Sequence, residues 1–347
     1  MCTLVYEALS AAGYRVGLYT SPHLVDIRER MIVANRPIAR EAFSHWAAQL
    51  SPVVEVANAS FFEATTAIAF ADFAARHVDV AVIEVGLGGK LDATNVVEPL
   101  VSAVTSIALD HADYLGDSLE QIAEEKAGIA KAGVPFVIGE TDPHVVEVLV
   151  RAANRVDAEP VIIGPHERWE ADLGLLGMHQ RRNAAVAQAI LGRLPSNLLP
   201  GPQFVAHAFK RARIPGRADQ RGKWLFDVAH NPESIRALIA LLPEIAVRRP
   251  IHALAGFLSD KHWEESLTLL RPVVDRLWLT NPPSAPEERR WDLRAVASAV
   301  GDRAVVEPNL DRALQAAEAE AGTVLVTGSF HTVGDAMMRL PGFPPLG

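Results

Sequence analysis

Glu84 closes an apolar stretch, Val78-Asp79-Val80-Ala81-Val82-Ile83, and is followed by Gly86-Leu87-Gly88-Gly89. A carboxylate at the end of a buried strand suits a hard cation such as Mg2+, which takes oxygen ligands and keeps several waters. The same residue could equally cap the turn that follows. His111, after Leu109-Asp110 at the end of the next apolar stretch, could be a second ligand or a hydrogen-bonded loop histidine. Gly86, Gly88 and Gly89 permit positive φ and close backbone approach. That fits a phosphate cradle or simply a tight turn, and the Gly-x-x-x-x-Gly-Lys-Ser/Thr spacing is not there. Lys126, between Glu125 and Ala127, reads on its own as a solvated lysine in an ion-pair network. Further along, Asp227-Val228-Ala229-His230-Asn231-Pro232 follows another apolar stretch. There Asp227 suits a ribose hydroxyl, and Asn231 suits a helix cap. Arg217, behind Pro215-Gly216, is either a guanidinium presented to a phosphate or a flat base, or a surface charge.

The elements that must position these residues alternate. Leu4, Val5, Ala8, Leu9 and Ala12 recur at helical spacing until Gly13 stops the run, and a short strand, Val16-Gly17-Leu18-Tyr19, then leads into Thr20-Ser21-Pro22-His23. Strands are expected over 78–84, 101–107 and 135–138, with helices over 62–76, 119–131 and from about 145. After Pro195, Pro200, Pro202 and Pro215 a second series begins, with strands near 224–227, 251–255, 275–279 and 323–327. Its helices are expected near 232–243, 262–270, 291–299 and 310–319. Such alternation predicts α/β architecture with a doubly wound, mainly parallel sheet, and ligands collect at the carboxyl ends of its strands. The polar clusters around Ser21, Glu84 and His111 all sit at such ends. The domain boundary is expected near residue 213, giving domains of 1–212 and 213–347.

Composition narrows the class. A chain of 347 residues that is 49% hydrophobic and 22% charged has globular-enzyme proportions, which excludes disorder, collagen and coiled coil. A formal net charge of −9 disfavours nucleic acid as a partner. The single cysteine, Cys2, allows neither an intrachain disulfide nor a cysteine-rich zinc site, which fits a reducing cytoplasm. No apolar run reaches the length of a membrane span, and no signal peptide is recognisable. A cytoplasmic protein without membrane partners is expected.

Taken together, the segments resemble the folylpolyglutamate synthase/dihydrofolate synthase family of the Mur ligase superfamily. The resemblance rests on 13–24, Phe61-Phe62-Glu63-Ala64-Thr65-Thr66-Ala67, Glu84 to Asn95, Leu109-Asp110-His111 with Leu115-Gly116, Glu125-Lys126-Ala127-Gly128-Ile129, and Gly177-Met178-His179-Gln180 with Asn183-Ala184. Pro215-Gly216-Arg217, Asp227 to Pro232, Ser259-Asp260-Lys261 and Thr327-Gly328-Ser329 continue it in family order across nearly the whole chain. The resemblance implies a P-loop-type central domain, a smaller Rossmann-like carboxyl-terminal domain, and ATP-dependent amide formation between a pterin carboxylate and L-glutamate through an acyl phosphate. It implies Mg2+ on Ser21, Glu84 and His111, and it leaves open a second Mg2+ or a K+ ion. It also implies a carbamylated Lys126, so that this lysine and His230 are catalytic, and ATP contacts from Asn183, Arg217 and Asp227. Ser60, Phe61, Phe62, Glu63, Leu91, Asp92 and Ala93 correspond to the pterin pocket. The expected small molecules are ATP, L-glutamate and dihydropteroate or tetrahydrofolate, and a monomer is expected.

The chain departs from that pattern in one large respect. The family's Gly-Lys-Gly-Ser/Thr loop, counted back from Ser21, would end just before Met1, and the strand that leads into it is missing too. The expectation is a misplaced translation start, with the chain as written folding poorly as a monomer, inactive, or both. Lys90 stands where arginine is usual, His262 where an acid is common and His331 where tyrosine is common. Two alternatives remain: another Mur-type amino-acid ligase, or a non-catalytic folate-binding remnant.

Overall fold

A computed structural model describes residues 1–109, 115–301 and 304–345. The chain divides into two compact units. The first comprises Met1–Pro22, Arg30–Gly174 and Met178–Ala212; the second comprises His23–Glu29, Leu175–Gly177 and Arg213–Gly347.

In the first unit, α1 (Cys2–Ala11) buries Leu4, Val5, Tyr6, Ala8 and Leu9 and is ended by Gly13, whose φ of +96° an L-residue would resist. The fully buried strand β1 (Val16–Tyr19) lies between β2 (Met31–Val33), antiparallel, and β4 (Val80–Ile83), parallel. β3 (Arg36–Pro37) extends this sheet beyond β2. The β2–β3 hairpin and the helix α2 (Arg40–Ala57) are absent from the sequence expectation, for a physical reason: the strands are two and three residues long, and α2 has no fully buried residue.

α3 (Phe61–Ala75) follows as expected, opened by Ser60. Phe73 from this helix lies on β1, where a Cβ on Gly17 would come within 3.0 Å of its ring. The strands β5 (Ser102–Val104), β6 (Pro135–Ile138) and β7 (Glu159–Ile162) form a second, all-parallel sheet. The parallel strands of this unit therefore lie in two sheets, and among the described residues β4 and β5 each pair on one side only. α4 (Leu119–Ala127) stops at Gly128, earlier than the expected 131, and α5 (Pro143–Arg155) begins at a cap made by Asp142. α6 (Met178–Leu191) and α7 (Pro202–Arg211) complete the unit.

The second unit is one six-stranded sheet in the order β12-β11-β10-β13-β9-β8. Its strands are β8 (Asp219–Arg221), β9 (Trp224–Phe226), β10 (Ile251–Ala255), β11 (Arg276–Leu279), β12 (Ala304–Val306) and β13 (Thr323–Thr327). All run parallel except the edge strand β8. Around them lie α8 (Pro232–Leu241), α9 (Trp263–Leu270), α10 (Leu293–Val300), α11 (Leu310–Glu320) and α12 (Phe330–Arg339). Buried apolar clusters occupy both faces: Leu225, Ala253, Leu277 and Leu325 belong to one, and Phe226, Leu254, Trp278 and Val326 to the other. That is the two-sided burial a parallel sheet requires.

Candidate active site

Parallel register does the first piece of positioning. Tyr19 of β1 pairs with Ile83 of β4, so Ser21 and Glu84 emerge at the same sheet end. There the Ser21 amide donates to Glu84 Oε2 at 2.9 Å, and the Glu84 amide donates to Tyr19 O at 2.9 Å. Burial, with the nearby charge of Glu84, pushes the Cys2 thiol up to about 12, so the amino end of α1 lies within electrostatic reach of this carboxylate. A carboxylate beside a serine offers hard oxygen donors of the kind Mg2+ takes, and in that sense the pair fits the ion. His111 lies outside the described residues. Among the described residues no three His, Cys, Asp or Glu side chains gather as a metal-holding group.

The glycine loop after Glu84 owes its composition to close packing. A Cβ on Gly86 would fall 2.4 Å from the Phe62 ring, and one on Gly89 would fall 2.8 Å from the carbonyl oxygens of Glu125 and Lys126. The loop thus lies directly on the last turn of α4, where Lys90 N donates to Glu125 O at 3.1 Å. A Cβ on Gly128 would meet Lys90 in turn, at 2.4 Å. Lys126 is in this way brought against the loop that starts at Glu84. Asp92 folds the loop back by accepting from the amides of Gly86 and Leu87, both at 3.0 Å, and from Thr94 N at 2.9 Å. Ala93 opens the short 3-10 turn Ala93–Val96.

Other residues expected in the pterin pocket divide by task. Ser60 and Glu63 form a reciprocal capping box: Ser60 N donates to Glu63 Oε2 at 2.7 Å, and Glu63 N donates to Ser60 Oγ at 3.2 Å. Hydrogen bonds at Ser60 hold the Glu63 carboxyl below its ordinary value. Phe62 packs on Tyr19, ring centroids 5.9 Å apart. Phe61 and Leu91, by contrast, are 59% and 88% exposed and present apolar surface. Arg30, a residue the sequence reading passed over, is only 8% exposed, and its guanidinium carbon lies 5.4 Å from the Phe61 ring centre. Burial pulls its pKa down, against Tyr19 and Glu84, which raise it. A buried cation beside an exposed ring has no periodic sequence signal.

In the second unit, Asp227 follows β9. Its Oδ2 accepts from Ala218 N at 2.8 Å and its Oδ1 from Ala229 N at 2.9 Å, so the carboxylate ties the Pro215-Gly216-Arg217 turn to the strand end. Burial raises its pKa, while those amides and Arg217 oppose the shift. His230 Nδ1 lies 3.0 Å from Val228 O, which makes Nδ1 the protonated nitrogen. Asn231 caps α8 with Ser234. Asn183 belongs to the first unit, on α6, where its Nδ2 donates to Gln180 Oε1 at 3.2 Å.

Two family models match the chain, the Mur ligase middle domain over residues 41–164 and the Mur ligase glutamate ligase domain over 211–330. The dihydrofolate synthase/folylpolyglutamate synthase of Escherichia coli is 32% identical over 353 residues, covering 97% of this chain and 82% of that protein. The chain belongs to the folylpolyglutamate synthase/dihydrofolate synthase family. Members of this family are ATP-dependent ligases that add glutamate to folate. A probable bifunctional folylpolyglutamate synthase/dihydropteroate synthase of Halobacterium salinarum is 33% identical over 95% of the chain, but the chain spans only 44% of that longer protein. Among solved structures, the Escherichia coli enzyme in complex with DHPP and ADP superposes with a TM-score of 0.86 at 32% identity, over 97% of this chain and 84% of that one. The Yersinia pestis enzyme with AMPPNP and a Mn ion gives 0.85 at 32% identity, over 97% and 85%. The expected α/β fold with mainly parallel sheets is that of this family. No helix among the described residues is long and apolar enough to cross a membrane.

Proposed function

We propose that this protein joins L-glutamate to the carboxylate of a dihydropteroate or tetrahydrofolate substrate at the expense of ATP. The observation that carries the reading is the pairing of Ser21 with Glu84 at one end of parallel β1 and β4, in a chain of this family. A carboxylate is a poor electrophile, because its charge is delocalised and oxide is its leaving group. Attack of a carboxylate oxygen on the γ-phosphorus of ATP expels ADP and forms an acyl phosphate. The glutamate amine then attacks the acyl carbon, loses a proton, and phosphate departs.

Ser21, Glu84 and His111 would hold Mg2+, which when bound offsets charge repulsion between the carboxylate and the triphosphate. Lys126, set against the glycine loop, is the residue proposed to be carbamylated, and it would then add an anionic oxygen donor. Arg217 is proposed to meet the phosphates and Asp227 the ribose, and Asn183 is a further residue proposed to contact ATP. His230, protonated at Nδ1 against Val228 O, is the residue proposed to act near the nucleotide. Phe61, Phe62 and Leu91 supply apolar surface for a flat pterin, and the Ser60–Glu63 box and the Asp92, Ala93 turn hold that surface in shape. A cytoplasmic monomer is part of the proposal, as is a division into domains at about residue 213.

The test is ATP- and glutamate-dependent phosphate release, first with dihydropteroate and then with tetrahydrofolate. Turnover that needs all three substrates is expected, and the acceptor that works names the activity. Folded protein that turns over neither acceptor would refute the reading.

A further inference from the structure

Three strand ends of the second unit converge on one aromatic ring. Phe330 follows β13, its neighbour β9 leads to His230, and the turn before β8 carries Arg217. The Arg217 guanidinium carbon lies 5.4 Å from the Phe330 ring centre, and the His230 ring centroid lies 6.1 Å from it at an interplanar angle of 53°. A guanidinium within about 6 Å of a ring face is attracted by the ring quadrupole.

The backbone that carries the ring is held in place. Gly328 takes φ +107°, and a Cβ there would lie 2.9 Å from the Gly256 backbone. Its amide donates to Ala229 O at 2.9 Å. Ser329 Oγ donates to Gly256 O at 2.8 Å and accepts from Thr332 N at 3.0 Å. The segment before Phe330 is thus bonded on one side to β10 and on the other to the residue preceding His230. Arg217, an exposed side chain on a turn, would otherwise sample many rotamers and lose that freedom on meeting a ligand.

We propose that Phe330 is a positioning residue for nucleotide binding: its ring face holds Arg217 and its tilted contact steadies His230 before ATP arrives. The inference rests on the nucleotide role proposed above for those two residues. Its test compares Phe330→Leu, Phe330→Ala and Phe330→Tyr with the parent chain, by ADP titration and by the KM for ATP and for glutamate.

Losing a cation–π contact to an exposed guanidinium corresponds to about 2- to 5-fold in affinity. The leucine and alanine variants are therefore expected to bind ADP about 2- to 5-fold more weakly and to raise the ATP KM alike, with the glutamate KM unchanged. Tyrosine, which keeps the ring face, is expected to restore both values. A leucine variant equal to the parent would overturn the inference, because apolar bulk alone would then suffice. So would a tyrosine variant as weak as leucine, or a parallel rise in both KM values. Thermal unfolding accompanies each variant, and should alanine fail to fold, leucine and tyrosine decide the matter. A parent chain that folds but binds no ADP removes the nucleotide assignment first, and this inference with it.

Discussion

Gly89→Ala tests the contact that seats the Glu84 loop on α4. The added Cβ would lie 2.8 Å from the carbonyl oxygens of both Glu125 and Lys126 and 3.0 Å from Lys126 Cα. Ordinary contact begins near 3.4 Å, so the overlap is about 0.6 Å against helix backbone, which cannot rotate aside as a side chain can. Overpacking of this kind costs about 1–3 kcal/mol. For a unit of about 200 residues, that lowers Tm by roughly 2–12 °C. The loop also carries the line from Glu84 to Leu91, so the displacement should cut turnover at least tenfold while the variant remains folded at 25 °C. Gly192→Ala is the control, since its new Cβ meets nothing nearer than 3.5 Å. The assays are differential scanning calorimetry and phosphate release at saturating substrates. A Gly89→Ala protein with the control's Tm and rate would refute the argument that these glycines exist for close packing.

Ser60→Ala removes the side-chain half of the α3 capping box and should cost about 0.5–2 kcal/mol, a Tm fall of a few degrees; an unchanged Tm would mean that the box adds nothing. Glu84→Gln should reduce turnover at least about a hundredfold. His252 is 4% exposed and its Nδ1 accepts from Trp278 Nε1 at 3.4 Å. Burial is the largest cause holding its pKa below the ordinary value. The fold therefore prefers neutral His252, which contributes stability above the unfolded-state pKa and loses it as pH falls through that value toward the folded one. Melting of the parent at pH 7 and pH 5 should show this loss, and His252→Leu should flatten it; equal slopes would refute the assignment.

Much of the fold was legible because buried parallel strands announce themselves. Ile251–Ala255, Thr323–Thr327 and Pro135–Ile138 coincide with their expected bounds, since each is an apolar run between turn residues. Helices with polar caps, such as those opened by Asn231 and Ser60, were equally plain. What escaped notice carries weaker signals. α2 hides no residue completely, β12 has three residues and β8 is a polar edge strand. α4 stops at Gly128, where a Cβ would meet Lys90 at 2.4 Å.

The candidate site shows why residue type alone could not separate holding from binding. Asp92, Asp227, Ser60 and Glu63 all look like ligand-binding polar groups in sequence, and each has its oxygens engaged by backbone amides three to nine residues away. Such bonds satisfy amide donors that a helix start or a turn leaves without a backbone partner, so these side chains shape the loops whatever else they do. The groups proposed to face a ligand are of the opposite kind: the exposed Phe61 and Leu91, and the Arg217 guanidinium that lies over the Phe330 ring. Sequence spacing encodes the first class, because a cap and its amide are neighbours along the chain. The second depends on which strand ends the sheet order makes adjacent, and β13 lies next to β9 only because it inserts between β9 and β10. Substituting the first class should therefore lower stability and activity together, whereas substituting the exposed Leu91 should alter KM at nearly constant Tm.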